Sequence, residues 1–440
     1  MKQKFINIVL ILALILGSIL IVPDIVHTNH YILKEYVLLI GGAFLLIILL
    51  SSYKKIKLDK KDILLLSFLL LIVISTLLSS SIKTSILGAQ NRCEGLLMFI
   101  TYACIYFTSK KLFKYEDKNE LLTLLFFACM GIGILGIAQK YVSFAKLYPI
   151  FNKGIGGTFG NSNFFGSFIS IVLPISICTF VFKGSKKGFL LSLVMFFNLI
   201  SSGTRSAWVA FIVGTFFFLI YLIKQKNKRY FKKTAILLIL FVLIFMYLFG
   251  SFKAIIKKIN PEKKETKTVP VSQTQIKVSQ VSKEIKEAKK TGSINKMGSG
   301  RIEIWKMTIK LILQKPIFGC GTDNLRDGLH EYCQEEITQY VKRARVDIDK
   351  AHNEYLHIAA TIGIPALIIY LIFLSLIVFP KMKIMFKNEI IFIITLTIIC
   401  YLAQAFFNIS TIGVAPLFWM LLGISDNKEM LDILYSNSNT

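Results

Sequence analysis

Long apolar runs recur along this chain of 440 residues and constrain its fold more than any other feature. Several runs hold about 18 or more apolar residues, which is the length that an α-helix needs to cross a bilayer. Hydrophobic residues make up 54% of the sequence and the mean hydropathy is +0.63, so the chain is more apolar than a soluble domain. A transmembrane barrel would show short alternating segments instead. The sequence therefore predicts an all-α integral membrane protein.

About twelve transmembrane helices account for these runs. The predicted spans are residues 5–23, 36–52, 63–80, 95–109, 121–139, 163–182, 188–201, 206–223, 234–251, 353–379, 389–407 and 411–425. The first run also fits a signal peptide, but no small-residue cleavage site follows it, so we expect a retained helix. Residues 1–251 then hold nine spans, residues 252–350 form one large loop, and residues 351–440 hold three spans and a short tail.

The distribution of basic residues orients these spans. With a cytoplasmic N-terminus, the cytoplasmic segments hold 24 of the 52 Lys and Arg residues and the short outer loops hold 7. The other 21 lie in the large loop, and long loops are largely exempt from the positive-inside rule. The count predicts cytoplasmic N- and C-termini and an extracytoplasmic large loop. Because the charges flank spans, the net charge of +27 does not indicate nucleic-acid binding.

The large loop has two parts of different composition. Residues 260–299 are rich in Lys, Glu, Thr, Ser, Val and Gln and have almost no aromatic residues, which predicts a solvated, mobile insertion. After it, apolar residues recur at helical spacing from Ile302 to Ile312, which predicts an amphipathic helix over residues 300–315. A glycine-rich turn follows this helix.

The cysteines and acidic pairs give only weak metal signals. The seven cysteines show no C-x-x-C spacing. Cys320 and Cys333 share the large loop, and they form either a disulfide or, as we favour, two free thiols. Asp347 and Asp349 resemble the D-x-D by which some glycosyltransferases hold a metal, but two carboxylates alone are more often solvated loop acids. We therefore expect no metal and no cofactor.

Polar residues gather at the predicted outer ends of the spans, while the span interiors are nearly free of Asp, Glu, Lys and Arg. Coupled transporters place ionisable groups near the membrane midplane, so this pattern argues against one. The candidate site residues at the outer ends are Arg92, Asn161, Asn163, Arg205, Arg301, His352 and Asn353. Each has a structural alternative, because arginines also anchor in headgroups or stay solvated and a histidine at a helix start is often only exposed.

These residue types suit a phosphate-bearing substrate. The segment G-G-T-F-G-N-S-N at residues 156–163 either brings backbone N–H groups close to an anion or forms a flexible turn. The guanidinium groups of Arg205 and Arg301 bind phosphate oxygens bidentately. A cation at a helix N-terminus, as predicted for Arg301, is disfavoured by the helix dipole unless an anionic ligand offsets it. A neutral imidazole at His352 can take a proton from an attacking hydroxyl near pH 7.

Five motifs occur in a definite order along the chain. They are G-T-F-G-N-S-N-F at residues 157–164, S-G-T-R-S-A-W at 202–208, G-R-x-x-x-W at 300–305, P-I-F-G-C-G at 316–321 and H-N-E-Y-L at 352–356. With Asn408 and A-P-L-F-W at residues 415–419, this ordered set resembles the O-antigen ligase family. That family includes O-antigen ligases, polysaccharide polymerases and protein O-oligosaccharyltransferases. The resemblance runs from about Gly88 to Gly423.

The resemblance implies a membrane glycosyltransferase with a GT-C-like fold. Such an enzyme transfers a glycan from a polyprenyl pyrophosphate such as undecaprenyl pyrophosphate to a hydroxyl acceptor, with inversion and without a metal. The reaction takes place on the extracytoplasmic face of the cytoplasmic membrane. By the same resemblance, Arg205 and Arg301 bind the pyrophosphate, His352 lies at the reacting centre, and Arg92 is a further donor contact. The implied partners are the donor, a glycan, lipid or protein acceptor, and membrane lipids.

Three questions stay open at the level of the motifs. The motifs do not separate a ligase from a polymerase or a protein-glycosylating enzyme. The insertion at residues 260–299 departs from the family pattern where acceptor-specific elements are expected. A competing class is a non-catalytic transporter or flippase for the same lipid-linked glycan, which would carry dense charge within its spans, and a structural membrane protein is the third.

Overall fold

The structure is a computed structural model, and it describes residues 30–52, 57–90, 92–112, 118–142, 155–259 and 300–428. Within these ranges every regular element is helical and no strand occurs. The expected all-α class is therefore confirmed for this part of the chain. The predicted first span at residues 5–23 and the predicted insertion at residues 260–299 lie outside the described residues.

The helices of the first part of the described chain end at residue 259. They are α1 (His30–Ser51), α2 (Lys60–Leu77), α3 (Ile82–Leu87), α4 (Leu96–Lys111), α5 (Lys118–Tyr141), α6 (Ser162–Lys183), α7 (Lys186–Ser202), α8 (Arg205–Gln225) and α9 (Lys228–Ile259). Helix α9 continues eight residues beyond the predicted end of its span at residue 251.

A second set of helices begins at residue 301. They are α10 (Arg301–Gln314), α11 (Leu325–Tyr332), α12 (Gln334–Ala344), α13 (Glu354–Thr361), α14 (Ile364–Ile384), α15 (Glu389–Ala405) and α16 (Ala415–Ser425), with a 3₁₀ turn at Met385–Lys387. Helix α10 lies where the sequence predicts an amphipathic helix.

Several helices are long and apolar enough to cross a membrane. Among the described residues six qualify, namely Tyr31–Ser51, Thr123–Tyr141, Ser162–Lys183, Arg205–Gln225, Lys228–Gly250 and Ile364–Lys387. Helices α15 and α16 are apolar but shorter. The chain is thus a multi-pass membrane protein, and the count of twelve spans stays a prediction.

Helix α6 lies at the centre of the bundle. It packs against α7, α8 and α15, and α15 also packs along α8. Of the six long apolar helices α6 is the most buried, which fits a sequence that is apolar on all its faces. On another side, α4 packs against α1 and α16, and α2 packs against α14. The ends of these central helices position the polar motifs.

The predicted tenth span at residues 353–379 is wrong as a single helix. Helices α13 and α14 meet at Gly363, whose φ of +107° is unfavourable for other residues, and Pro365 lies in the first turn of α14. The hydroxyl of Tyr370 donates to the carboxylate of Glu354 at 3.0 Å. In one continuous helix these residues would be about 24 Å apart. Helix α13 therefore folds back along α14.

Helices α10 to α13 form a small cap with its own apolar core. Leu311, Leu325, Leu329 and Ile337 are fully buried there, together with Ala360 of α13. Within the cap, the glycine-rich turn after α10 pairs with the end of α13 through N–H···O bonds of 3.0 and 2.9 Å. A further backbone bond attaches the cap to the bundle, because the N–H of Ile364, the first residue of α14, donates to the carbonyl of Pro316 at 2.8 Å. The cap thus holds α10 and α13 in fixed positions relative to the bundle.

The opposite end of the bundle carries a buried ionic network. The ammonium of Lys110 lies 2.7 Å from a carboxylate oxygen of each of Asp59, Asp62 and Asp426. The side chains of Lys110, Asp62 and Asp426 are almost fully buried. Since these residues belong to α2, α4 and the end of α16, the network ties three helices together at the end away from the polar motifs.

Candidate active site

Asn408 joins two of the polar motifs at one end of the bundle. Its Nδ2 donates to the carbonyl of Asn163 at 2.8 Å and to Oγ of Ser167 at 2.9 Å. It also lies 3.5 Å from Oγ of Ser206, in the first turn of α8. Because Asn408 follows α15, the starts of α6 and α8 lie beside the end of α15.

The starts of α6 and α8 are in direct contact. Oγ1 of Thr204 donates to the carbonyl of Ser162 at 2.7 Å. A Cβ atom added at Gly166 would lie 2.4 Å from Cγ2 of Thr204, so only glycine permits this approach. The contact places Arg205, the first residue of α8, next to the glycine-rich segment.

The glycine-rich segment is bound by side chains of the protein. The N–H groups of Gly156 and Gly157 donate to Oε1 of Gln139 at 3.1 and 2.8 Å, and Nε2 of Gln139 donates to the carbonyl of Gly157 at 2.8 Å. The ammonium of Lys34 donates to the carbonyl of Thr158 at 2.7 Å. Two N–H groups that the sequence suggested for an anion are therefore already bonded, which favours a structural turn in this part of the segment.

The predicted substrate-binding asparagines have observed roles at helix starts. Oδ1 of Asn161 accepts from the N–H of Asn163 at 2.8 Å where α6 begins. Oδ1 of Asn353 accepts from the N–H of Leu356 at 3.0 Å where α13 begins. Such caps stabilise a helix by about 1 kcal/mol. Contact of these side chains with a substrate stays a prediction.

The backbone that carries His352 is held by α10. The indole N–H of Trp305 donates to the carbonyl of Ala351 at 2.9 Å, and its ring lies 6.2 Å from that of Phe407. His352 itself has a φ of +52°, which is uncommon for a residue other than glycine. Its Nδ1 is buried and has no hydrogen-bond partner among the described residues. The backbone at His352 is therefore held in place, while Nδ1 of its imidazole has no partner among the described residues.

The cationic candidates gather around this imidazole. Burial, followed by the charge of Arg205, lowers the pKa of Arg301. Burial, followed by the charges of Arg301 and Arg92, lowers the pKa of His352 to about 4. These couplings act in pairs, between Arg205 and Arg301, between Arg301 and His352, and between Arg92 and His352. The structure thus brings together Arg92, Arg205, Arg301 and His352 from four separate segments, and His352 is neutral at physiological pH.

Arg92 forms an ion pair with a carboxylate. Its Nε and one terminal nitrogen each lie 2.7 Å from Oδ2 of Asp349. Its guanidinium also lies 5.2 Å from the centre of the Phe164 ring, in cation–π geometry. Arg92 therefore links the segment before α4 to the loop of His352 and to the first turn of α6.

The loop of His352 is also held by a buried lysine that the sequence analysis did not single out. The ammonium of Lys350 lies 2.6 Å from Oδ1 of Asp323 and 3.3 Å from Oε2 of Glu94. It lies 3.2 Å from Nε2 of His357. Burial disfavours the charge of Lys350, but Asp323 and Glu94 outweigh this effect and raise its pKa. Lys350 is therefore a permanent cation that locks this loop.

The remaining polar candidates of the large loop take other partners. Asp347 lies 2.6 Å from Nε of Arg326 and 3.1 Å from Nε2 of His330, whereas Asp349 pairs with Arg92. The two acids of the D-x-D pattern thus belong to different ion pairs. Cys320 and Cys333 are both free thiols, the alternative that the sequence analysis favoured.

Comparison with known proteins gives a family match for the central part of the chain. A search of curated proteins finds no significant match. Residues 190–371 match the sequence model of the family described as O-antigen ligase. The match covers most of α7, all of α8 and α9, the described cap and the start of α14, and it includes Arg205, Arg301, Lys350 and His352. Residues 190–371 of this membrane protein are thus similar to the O-antigen ligase family, which supports the resemblance that the ordered motifs indicated.

Proposed function

We propose that the protein transfers or polymerises a glycan, taking it from a polyprenyl-pyrophosphate donor and linking it to a hydroxyl acceptor. The observation that carries this proposal is the gathering of Arg92, Arg205, Arg301 and His352 at one end of the bundle. A membrane-embedded donor presents its pyrophosphate at the membrane surface while its chain remains in lipid. A cluster of fixed cations at the ends of apolar helices is placed to receive such a group.

The electrostatics of the cluster favour an anionic ligand. Arg205 and Arg301 act on each other unfavourably, as the lowered pKa of Arg301 indicates. Arg301 also begins α10, where the positive end of the helix dipole adds to the repulsion. Two phosphate groups would compensate both guanidinium groups and accept bidentate hydrogen bonds from them. Arg92 is partly compensated by Asp349, so we assign it a supporting role.

In the proposed reaction the acceptor oxygen attacks the anomeric carbon as its bond to the pyrophosphate breaks. The electron pair leaves with the pyrophosphate, whose growing negative charge is stabilised by Arg205 and Arg301. Loss of one such contact is expected to cost about 3 kcal/mol of transition-state stabilisation. The acceptor proton goes to His352, whose low pKa makes it a weak base beside uncompensated arginine charge. Bound pyrophosphate offsets the arginine charges and raises the pKa of His352. His352 is therefore a stronger base when the donor is bound.

An apolar pocket beside the cluster supports a lipid-linked donor. It lies between α6, α8 and α15. Its lining along α8 begins at Ala207, two residues after Arg205, and extends through Gly214 to Phe218. The pocket therefore reaches close to the start of α8, the helix that Arg205 begins. We therefore include the first isoprene units of the donor in the proposed site.

The proposed setting is the cytoplasmic membrane, with twelve spans, a GT-C-like arrangement and both termini in the cytoplasm. The alternation of basic residues between successive loops supports this orientation. In this proposed orientation the cation cluster lies on the extracytoplasmic face and the network around Lys110 lies on the cytoplasmic face. In this scheme the arginine charges stabilise the negative charge of the leaving pyrophosphate. This is in line with the metal-independent chemistry that the resemblance implies.

The test is glycan transfer by the purified full-length protein. A fluorescent undecaprenyl-pyrophosphate oligosaccharide is incubated with glycan, lipid and peptide acceptors, and new linkages are identified by mass spectrometry. We expect a linked product from the parent protein, none from Arg205→Ala or Arg301→Ala, and a normal amount from Arg326→Ala, an exposed control. Donor movement across vesicles without any new linkage would support the flippase instead and overturn the proposal.

A further inference from the structure

Helix α10 is apolar on two opposite faces. Met307 and Leu311 lie on the face buried in the core of the cap. Ile302, Ile309 and Leu313 lie on the other face, and their side chains are 48%, 47% and 73% exposed. At 100° per residue these three positions lie within about 40° of one another. The exposed face is therefore a continuous apolar stripe, which is costly in water.

Both ends of α10 contact the ends of apolar helices. Near its start, the ring of Trp305 lies 5.8 Å from that of Phe406, the residue directly after α15. Just after its end, the carbonyl of Pro316 accepts from the N–H of Ile364, the first residue of α14, at 2.8 Å. A helix of 14 residues is about 21 Å long. Helix α10 thus runs across the end of the bundle at the level where neighbouring apolar helices begin and end.

The exposed apolar surface continues from α10 onto a candidate membrane span. Beyond Leu313 it includes Ile317, which is 56% exposed and lies against Gly363 at the start of α14. On α14 it continues through Ile364, Ile368 and Leu371, which are 38%, 50% and 41% exposed, within a span that is apolar enough to face lipid. The stripe is therefore an extension of a surface that contacts acyl chains.

Basic side chains border one side of the stripe. Lys306 and Lys310 are exposed on α10, about 40° and 80° around the helix from Ile302. The ammonium of Lys310 lies 2.5 Å from the carboxylate of Glu336 in α12. Long basic side chains at the border of an apolar face reach from the acyl region to lipid phosphates. This combination of an apolar stripe and bordering lysines matches the interface of a phospholipid leaflet.

We propose that α10 is an interfacial helix, with the face formed by Ile302, Ile309 and Leu313 immersed in the adjacent membrane leaflet. The cap is then seated on the membrane through α10 rather than held above it in water. This seating fixes Arg301, the first residue of α10, at the depth of the lipid headgroups. It follows from the shape and polarity of the cap and holds whether or not the protein transfers glycans.

The test is the depth of spin labels on the full-length protein in phosphatidylcholine and phosphatidylglycerol nanodiscs. Labels are attached to Ile309→Cys, Leu313→Cys and the control Glu335→Cys, an exposed position of α12. The parent chain gives the labelling background, since its seven cysteines are free and six of them are buried. Collisions with oxygen, which concentrates in lipid, are compared with collisions with a water-soluble nickel chelate.

We expect the labels at residues 309 and 313 to collide mainly with oxygen and the label at residue 335 mainly with nickel. Nickel access at residues 309 and 313 equal to that of the control would show that the stripe faces water and would overturn the proposal. Protection of these labels from both reagents would also overturn it, because another protein surface would then cover the stripe. Neither outcome depends on catalysis, so failure here is distinct from failure of the glycan-transfer test.

Discussion

The ammonium of Lys350 lies 2.6 Å from the carboxylate of Asp323, and both side chains are almost completely buried. Lys350 precedes His352 by two residues, and Asp323 accepts from the backbone N–H of Ala89 at 2.7 Å. The pair therefore connects the loop of the proposed base to the segment before Arg92. Removing one partner of such a pair leaves a buried, uncompensated charge, and this is strongly destabilising.

Asp323→Asn is accordingly expected to destabilise the protein by about 3–5 kcal/mol and to abolish glycan transfer. The destabilisation arises because Glu94, at 3.3 Å, is then the only carboxylate within 4 Å of Lys350 among the described residues. Unfolding in detergent, followed by circular dichroism against temperature and denaturant, measures the change. Asp347→Asn is the matched control, since Asp347 pairs with the exposed Arg326 and His330. Equal stability of the two variants would contradict a role for Lys350 in holding the loop.

The sequence did not reveal this pair for a physical reason. Lys350 and Asp323 lie in a basic, polar loop, where isolated charges are usually solvated, and their burial depends on how the cap packs onto the bundle. Arg205 and Arg301 were recognisable because each starts a helix after a glycine-containing motif. The sequence does not indicate that α13 folds back, because apolar residues continue on both sides of Gly363. The spacing of these apolar residues therefore predicts one continuous helix.

A second prediction concerns the repulsion between Arg205 and Arg301. Arg301→Gln removes one of two interacting like charges, so the folded protein should be at least as stable as the parent. The variant should nevertheless lose its response to inorganic pyrophosphate, used as a probe for the donor headgroup. At a concentration of 100 times the dissociation constant, a ligand stabilises the folded state by about 2.7 kcal/mol. Thermal unfolding with and without pyrophosphate measures this, and a normal response of Arg301→Gln would contradict the assignment.

A third prediction follows from the low pKa of His352. Its pKa is 6.5 in the unfolded chain and about 4 in the fold, so the folded state favours neutral imidazole. The resulting stabilisation is complete above pH 6.5 and is lost as the pH falls towards 4, by up to about 3 kcal/mol. Asp349, Arg92 and Arg301 also face this ring, so the comparison is made with His352→Gln.

The measurement is the melting temperature of the parent and of His352→Gln between pH 7.5 and about pH 4.5. The parent should lose more stability on acidification than the variant, because the variant has no imidazole to protonate. Saturating pyrophosphate should reduce this difference, since a bound anion stabilises the imidazolium. Parallel pH profiles for both proteins would show that His352 is not held neutral.

A fourth prediction concerns the turn that Gln139 holds. Gln139→Leu leaves the N–H groups of Gly156 and Gly157 without their acceptor, and each unsatisfied buried group costs about 1–3 kcal/mol. We expect a lower melting temperature and reduced activity, because the turn leads into the start of α6 beside Arg205. Gln225→Leu is the control, since Gln225 makes its bond to Phe386 in an exposed position at the other end of α8. Similar melting temperatures for the two variants would show that the turn does not depend on Gln139.

The apolar pocket allows the carrier chain to be separated from the headgroup. A Cβ atom at Gly214 would lie 2.7 Å from Sγ of Cys400, so Gly214→Leu places its side chain in the pocket between α8 and α15. If the carrier chain occupies this space, KM should rise on the order of tenfold for an undecaprenyl donor, equivalent to about 1.4 kcal/mol of binding. A donor with a chain too short to reach Gly214 should keep its KM, because its pyrophosphate still meets Arg205.

Ile212→Leu, on the exposed face of α8, should leave both donors unaffected. An equal rise in KM for long and short donors would instead indicate a general disturbance of α8, and unchanged values for both would place the chain elsewhere.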